Sequence, residues 1–288
     1  MQVSVIVTTY KRADRLRLCL LALENQSFRD FECIVIDDGS HDESFVIFRR
    51  WADDTKLPSY YAWEQDTGFR LSHARNLGAR MARGDGLIFI DSDILLNPWA
   101  IENYARLLSE NPNRAIGGYY KYGKGMVILP KDVTEWDRLW RMELLEVDIP
   151  QDSYQFLGTD VREAHFREGW ASEDLFRNES EVWRAPFSLL GGNMMIPRLV
   201  WEKIDGFSEE LTHYGGEDAE ISIKIAQAGF GFSYSKSAGG LHMAHSKWDN
   251  AEKGTFDTIA YMQRKWPKWF PNGEPLWSKP GWEVPPRE

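Results

Sequence analysis

In "GLIFIDSD" the apolar run Leu87, Ile88, Phe89 and Ile90 leads into Asp91-Ser92-Asp93. Two carboxylates so close repel, and a divalent cation is the obvious remedy. Carboxylate oxygens with open coordination positions suit Mg2+ or Mn2+, and such an ion can also bridge to a substrate's phosphates. A bare D-x-D is more often a solvated strand end, but its position after a buried strand weighs against that reading. His242 and His245 frame "HMAH". A lone histidine is more often structural than ligating, but two at this spacing could both reach one ion. Imidazole beside carboxylate favours Mn2+ over Mg2+. A third group is "HYGGEDAEI" (His213–Ile221), in which Glu217 and Asp218 follow Gly215-Gly216. The dipole at a helix N-terminus favours acidic residues. That accounts for one acid well and for the glycine pair poorly. Glycines let backbone approach a ligand closely, and a carboxylate held there could act as a base on a hydroxyl.

These groups need elements to carry them. "VSVIVTT" (Val3–Thr9) is β-branched and almost continuously apolar, as a strand buried on both faces would be. Leu16, Cys19, Leu20 and Leu23 follow at helical spacing. "FECIVIDD" predicts a second strand ending at Asp37-Asp38, and "SYYAWEQD" a third. "RLSHARNLGARMARG" predicts a helix stopped by Gly84, and "GLIFIDSD" a fourth strand. Such alternation implies right-handed crossovers and an α/β fold with a mostly parallel sheet flanked by helices. Ligands of these sheets bind beyond the carboxyl ends of the strands. Thr8, Thr9, Asp38, Asp91 and Asp93 all fall there.

The second half reads less evenly. Lys121–Pro186 is irregular and rich in Trp, Glu and Arg. "FSLLGGNMMIPRLVWEKIDGF" restores order, with a helix begun near Pro197. "GGEDAEISIKIAQAG" predicts a helix stopped by Gly229, "FGFSYS" a short strand, and "GGLHMAHSKWD" a loop carrying both histidines. The expected division is one domain over 1–250, with a nucleotide-binding half (1–120), an insertion (121–186) and an acceptor-side half (187–250). A C-terminal helix and an extended Trp/Pro-rich tail then occupy 251–288, and the tail offers a peripheral membrane contact.

Composition narrows the function. With 288 residues, 43% hydrophobic and 27% charged, the chain can bury a sizeable core. A net charge of −10 disfavours nucleic acid as a partner. Cys19 and Cys33 lie in apolar runs and read as buried reduced thiols. "MQVSVIVTTYKR" lacks the basic region of a signal peptide, and no stretch has the ~18 apolar residues of a membrane span. The expected location is therefore cytoplasmic.

Taken in order, "VSVIVTTYKR", "QSFRDFECIVIDDGSHDES", "ARNLGARMARGDGLIFIDSD" and "GGEDAEISIKIAQAGFGF" resemble a family 2 glycosyltransferase of the GT-A fold. "LLGGNMMIPRLVWEKIDGFSEELTHYGGEDAEI" followed by "HMAHS" is similar to the carboxyl-terminal part of the β-1,4-galactosyltransferases. The resemblance covers roughly Gln2–Asn250. It implies a nucleotide-sugar donor, most simply a UDP-hexose or UDP-N-acetylhexosamine, and a glycan or lipid-linked acceptor. Thr8 and Tyr10 would line the uracil pocket and Asp38 would accept from the base N3–H. Arg75 would sit near the base or diphosphate. Asp91 would contact the ribose, with Ser92 and Gly192 also on the donor side. Asp93 would bind the metal, Mn2+ or Mg2+, with His245 and, if it ligates, His242. Asp218 would be the general base of an inverting transfer and Glu217 would hold a sugar hydroxyl. Two departures stand out: His242 replaces a usual Met, and Tyr214 replaces a Trp near the acceptor. A nucleotidyltransferase would instead need a Gly-rich loop after the first strand, where this chain reads "TTYKRADR". A non-catalytic protein on the same fold would be expected to have lost the base or the D-x-D, and both are present.

Overall fold

Val3–Thr9 (β1) is buried at every position, as the β-branched run predicts. It pairs in parallel with Phe31–Asp37 (β2) and Gly86–Asp91 (β4), and β2 pairs in parallel with Ser59–Trp63 (β3). The computed structural model describes residues 2–123, 133–134, 189, 191–243, 251–275 and 285. Within these, Ile94–Leu96 (β5), Arg114–Gly123 (β6), Asn193–Pro197 (β7) and Gly231–Met243 (β8) complete one sheet in the order β3-β2-β1-β4-β7-β6-β8-β5. Only β7 and β5 run against the common direction.

Successive strand residues point to opposite faces, and the sequence divides accordingly. Val3, Val5, Val7, Ile88 and Ile90 join the core under Ala13–Glu24 (α1), Ser44–Asp54 (α2) and Ala100–Glu110 (α4). Ile6, Ile34, Ile36, Leu87 and Phe89 join the core on the other face. There they pack with Leu71–Met81 (α3), Arg198–Lys203 (α5), Glu217–Gln227 (α6) and Ala251–Lys265 (α7). Both faces are covered, so the central strands carry no polar alternation.

Several expectations need correction. Helix α3 ends at Met81 because Ala82 is already extended, not because of Gly84. Gly84 has a packing role: a Cβ there would lie 2.5 Å from the Val3 carbonyl carbon. By contrast α6 does stop at Gly229, whose φ is +82°. The Phe230 and Gly229 N–H groups bond back to Ile225 and Ala226, closing a Schellman motif. The expected loop around His242 is the end of a 13-residue strand, β8, and β6 extends three residues into the expected insertion. The start of the tail is not extended. It forms two 3-10 turns, Pro267–Trp269 and Pro271–Gly273, and buries Trp269 and Phe270 in the core. These residues cannot serve a membrane contact; Trp277 and Trp282 lie outside the described residues. Among the described residues, no helix is long and apolar enough to cross a membrane.

Candidate active site

At the carboxyl ends of β1, β2 and β4 lies a cavity of about 290 Å³. Thr8, Tyr10 and Asp38 line it, with Asp91, Ser92, Asp93 and His242. Register explains part of this set. Thr8 stands opposite Asp91 in the parallel pair β1–β4, so its hydroxyl donates to Asp91 Oδ1 at 3.0 Å. Asp37 and Asp38 divide their work. Asp37 accepts the Ser40 N–H and the Tyr61 hydroxyl, and so builds the turn after β2. Asp38 faces the cavity. Arg70 donates its backbone N–H to Asp38 Oδ2 at 3.0 Å and places a guanidinium nitrogen 2.9 Å from Oδ1. Burial nevertheless raises the Asp38 pKa, since the Arg70 contacts offset only part of the desolvation.

Arg75 lies beneath the cavity rather than on its lining, and is 1% exposed. It donates from Nη1 to Glu217 Oε1 at 3.0 Å. Its Nη2 donates to Asp91 Oδ1 at 3.0 Å and to the Gly191 carbonyl at 2.8 Å. A buried guanidinium without partners would be costly. Burial disfavours its charge, but Asp91 and Glu217 outweigh that and leave its pKa raised. One side chain from α3 thereby joins the strand-end D-S-D to the G-G-E-D turn. Gly192 also holds the D-S-D, its carbonyl accepting the Asp91 N–H at 3.2 Å.

The G-G-E-D turn has Gly215 at φ +90° and Gly216 at φ +89°, a backbone region that side chains disfavour. A Cβ on Gly216 would also lie 2.6 Å from Thr258 Cγ2. Asp218 accepts the Ala219 N–H at 2.8 Å and the Gly191 N–H at 3.4 Å. Burial, then repulsion from Glu217, push its pKa up to about 7, against those N–H groups and Arg75. The helix N-terminus, which by itself would lower it, is outweighed.

His242 Nε2 lies 3.8 Å from Asp93 Oδ1. The two residues are 149 apart in sequence (242 − 93), and the pairing of β5 with β8 brings them together. Ile94 is in register with His242, and the Met243 N–H donates to the Asp93 carbonyl at 2.8 Å. His245 lies outside the described residues. Two donors each ~2.1 Å from a shared ion can stand up to ~4.2 Å apart. The 3.8 Å separation of carboxylate and imidazole lies within that limit, and no set of three such ligands converges among the described residues. Arg12, Phe69 and Tyr214 also line the cavity, and Phe69 packs edge-on to Tyr214 at 6.1 Å. Arg12 was legible only as a charge in "TTYKR", and Phe69 carries no motif.

A mostly parallel sheet with a strand-end D-S-D and a facing G-G-E-D turn defines a GT-A glycosyltransferase fold. Solved structures share it. Staphylococcus aureus TarS 1–349 in complex with UDP-GlcNAc aligns with a TM-score of 0.62 at 17% identity, over 92% of this chain and 65% of that one. The mannosyltransferase PcManGT from Pyrobaculum calidifontis, in complex with GDP-Man and Mn2+, aligns with a TM-score of 0.56 at 21% identity, over 92% and 60%. The chain belongs to glycosyl transferase family 2, whose model matches residues 4–157. A second model, described as the N-terminal domain of galactosyltransferase, matches residues 178–247. Hyaluronan synthase from Pasteurella multocida is 31% identical over 255 residues, covering 88% of this chain and 25% of that protein. Chondroitin synthase from Escherichia coli is 29% identical over 280 residues, covering 95% and 40%. The chain thus spans well under half the length of these two relatives.

Proposed function

We propose that this chain transfers a hexose or N-acetylhexosamine from a UDP-sugar to a hydroxyl of a glycan or lipid-linked acceptor, with inversion and with a divalent cation, Mn2+ or Mg2+. The observation that carries the reading is the buried Arg75, which holds Asp91 and Glu217 at 3.0 Å each. A carboxylate of the cavity lining, Asp91, is thereby tied to one of the G-G-E-D turn, Glu217, which supports reading the two as parts of one site. Family membership supplies the reaction class, and the UDP-GlcNAc of the TarS structure supports the donor class.

In this reading Thr8, Tyr10 and Asp38 take the base, and Asp91 and Ser92 take the ribose. Residues 1–120 form the nucleotide half and 187–250 the acceptor half. Asp93 and His242 would hold the cation, with His245 added on the family resemblance. When bound, the cation would stabilise charge developing on the leaving diphosphate. Asp218 receives the proton of the acceptor hydroxyl as that oxygen attacks the anomeric carbon from the face opposite the leaving group. Glu217, tied to Arg75, orients a sugar hydroxyl. Arg75 acts from below as a brace and not as a diphosphate ligand. The buried free thiols Cys19 and Cys33 suit a reducing cytoplasmic setting.

The test is release of UDP from a panel of UDP-sugars, with and without Mn2+, using oligosaccharide acceptors. Turnover with at least one UDP-hexose or UDP-hexosamine, abolished by excess EDTA, is expected. Undiminished turnover in EDTA would overturn the metal assignment, and preference for a GDP-sugar would overturn the donor class.

A further inference from the structure

We infer that the C-terminal helix α7 is part of the catalytic apparatus, with Lys265 and Trp266 as positioning residues that lock the G-G-E-D turn. This rests on the reading of Asp218 as the base. Glu217 and Glu220 lie one turn apart on α6, and each is tied to a cation from a different direction. Glu217 is held by Arg75. Glu220 is fully buried, and its Oε1 lies 3.1 Å from Lys265 Nζ and accepts the Trp266 indole N–H at 3.1 Å.

Lys265 is itself fixed. It donates to Ser208 Oγ and to Tyr261 Oη at 2.7 Å each. The same helix reaches the turn a second time, since Thr258 Cγ2 occupies the space that a Cβ on Gly216 would need, and Met262 packs beside it. The turn bearing Asp218 is therefore gripped at Glu217 by α3, and at Gly216 and Glu220 by α7. Glu220 Oε2 is buried without a hydrogen-bond partner among the described residues. Removing Lys265 would strand a buried charge, and α6 would have to shift or hydrate to relieve it. A displaced first turn moves Asp218 off its line to the acceptor oxygen, and misplacement on the ångström scale costs turnover rather than donor binding.

The experiment compares the whole chain with Lys265→Met, Lys265→Met/Glu220→Gln and Asp218→Asn. Three readouts are taken: hydrogen exchange of residues 214–220, affinity for UDP with Mn2+, and kcat and KM with the donor selected by the panel. Lys265→Met should speed exchange in 214–220 about tenfold and lower kcat about tenfold, with UDP affinity and donor KM within about twofold. Adding Glu220→Gln removes the stranded charge and should restore slow exchange and most of kcat. Unchanged exchange or kcat in Lys265→Met, or a double variant no better than the single, overturns the inference. If Lys265→Met does not fold, Trp266→Phe, which removes only the indole donor, is held to the same outcomes. Asp218→Asn separates the two readings. If it retains turnover, the base assignment fails, while the exchange data still decide whether α7 locks the turn.

Discussion

Asp218 feels opposing influences within a few ångströms. Burial and the neighbouring Glu217 disfavour its charge; Arg75 and two backbone N–H groups favour it. With its pKa up at about 7, the carboxylate form needed to take a proton is lost as pH falls. Turnover under subsaturating substrate should drop toward tenfold per unit below pH 7 and level off above it. A pH–rate profile flat down to pH 5 would contradict this. Asp218→Asn keeps the side chain's size but removes the proton acceptor. It should cost on the order of 10²–10⁴ in turnover while UDP and Mn2+ still bind, and Glu217→Gln should mainly weaken sugar binding. Steady-state kinetics on both variants decide the roles; dominance of Glu217 in kcat would reverse them. Asp93→Ala should abolish Mn2+ binding measured by calorimetry with UDP present, and leave the folded state intact.

Elements meet at this site because one cation reaches two of them. Arg75 springs from α3 and holds the end of β4 and the start of α6. Arg75→Met would remove the counter-charge of Asp91 and of the nearly buried Glu217, and should destabilise the fold by about 3 kcal/mol. Arg75→Lys should be a poor substitute, because a single ammonium lacks the fork that spans two carboxylates. Urea unfolding with an unchanged slope would measure both. A midpoint within error of the wild type would mean that water screens the pair.

Across the whole molecule, α3 is tied to the segment after α5 by a second cluster. His73 bonds Glu209 at 2.6 Å and Glu64 at 3.0 Å, and Glu209 also accepts from Asn76 and Arg80. Hydrogen bonding to Glu209 leads the causes that raise the His73 pKa, against its burial. Burial opposes ionisation of Glu209, but its bonds from His73, Asn76 and Arg80 win and bring its pKa down to about 2. The signs then follow. The His73 contribution to stability is complete below its unfolded value near 6.5 and is lost as pH rises through the raised folded value. The Glu209 contribution is complete above its unfolded value near 4.5 and is lost as pH falls toward 2. The cluster therefore contributes most between about pH 4.5 and 6.5. His73→Phe should lower the thermal midpoint most in that window and least near pH 9. An equal loss at both pH values would assign His73 a packing role only.

Much of this protein follows from its sequence because strong local patterns coincide with burial. The β-branched runs of β1, β2 and β4 leave no choice but a two-sided sheet, and Asp38, Asp91 and Asp93 fall at strand ends by simple counting. Gly215-Gly216 before two acids stands out in the sequence as a place of close backbone approach, and the structure adds that both take a positive φ. The pairings that complete the site have no local signature. β5 is three residues long, too short for any periodicity, yet it sets His242 beside Asp93. Arg75 reads as one charge on an amphipathic helix. Its burial, and the bond to a residue 142 positions away, exist only once α3 and α6 pack on the same face of the sheet. The Asp218 pKa likewise depends on desolvation, which is a property of everything packed around it. The tail's aromatic residues suggest an exposed surface in sequence, whereas Trp269 and Phe270 fill the core beneath α6, where apolar burial outweighs the proline-rich chain's preference for extension.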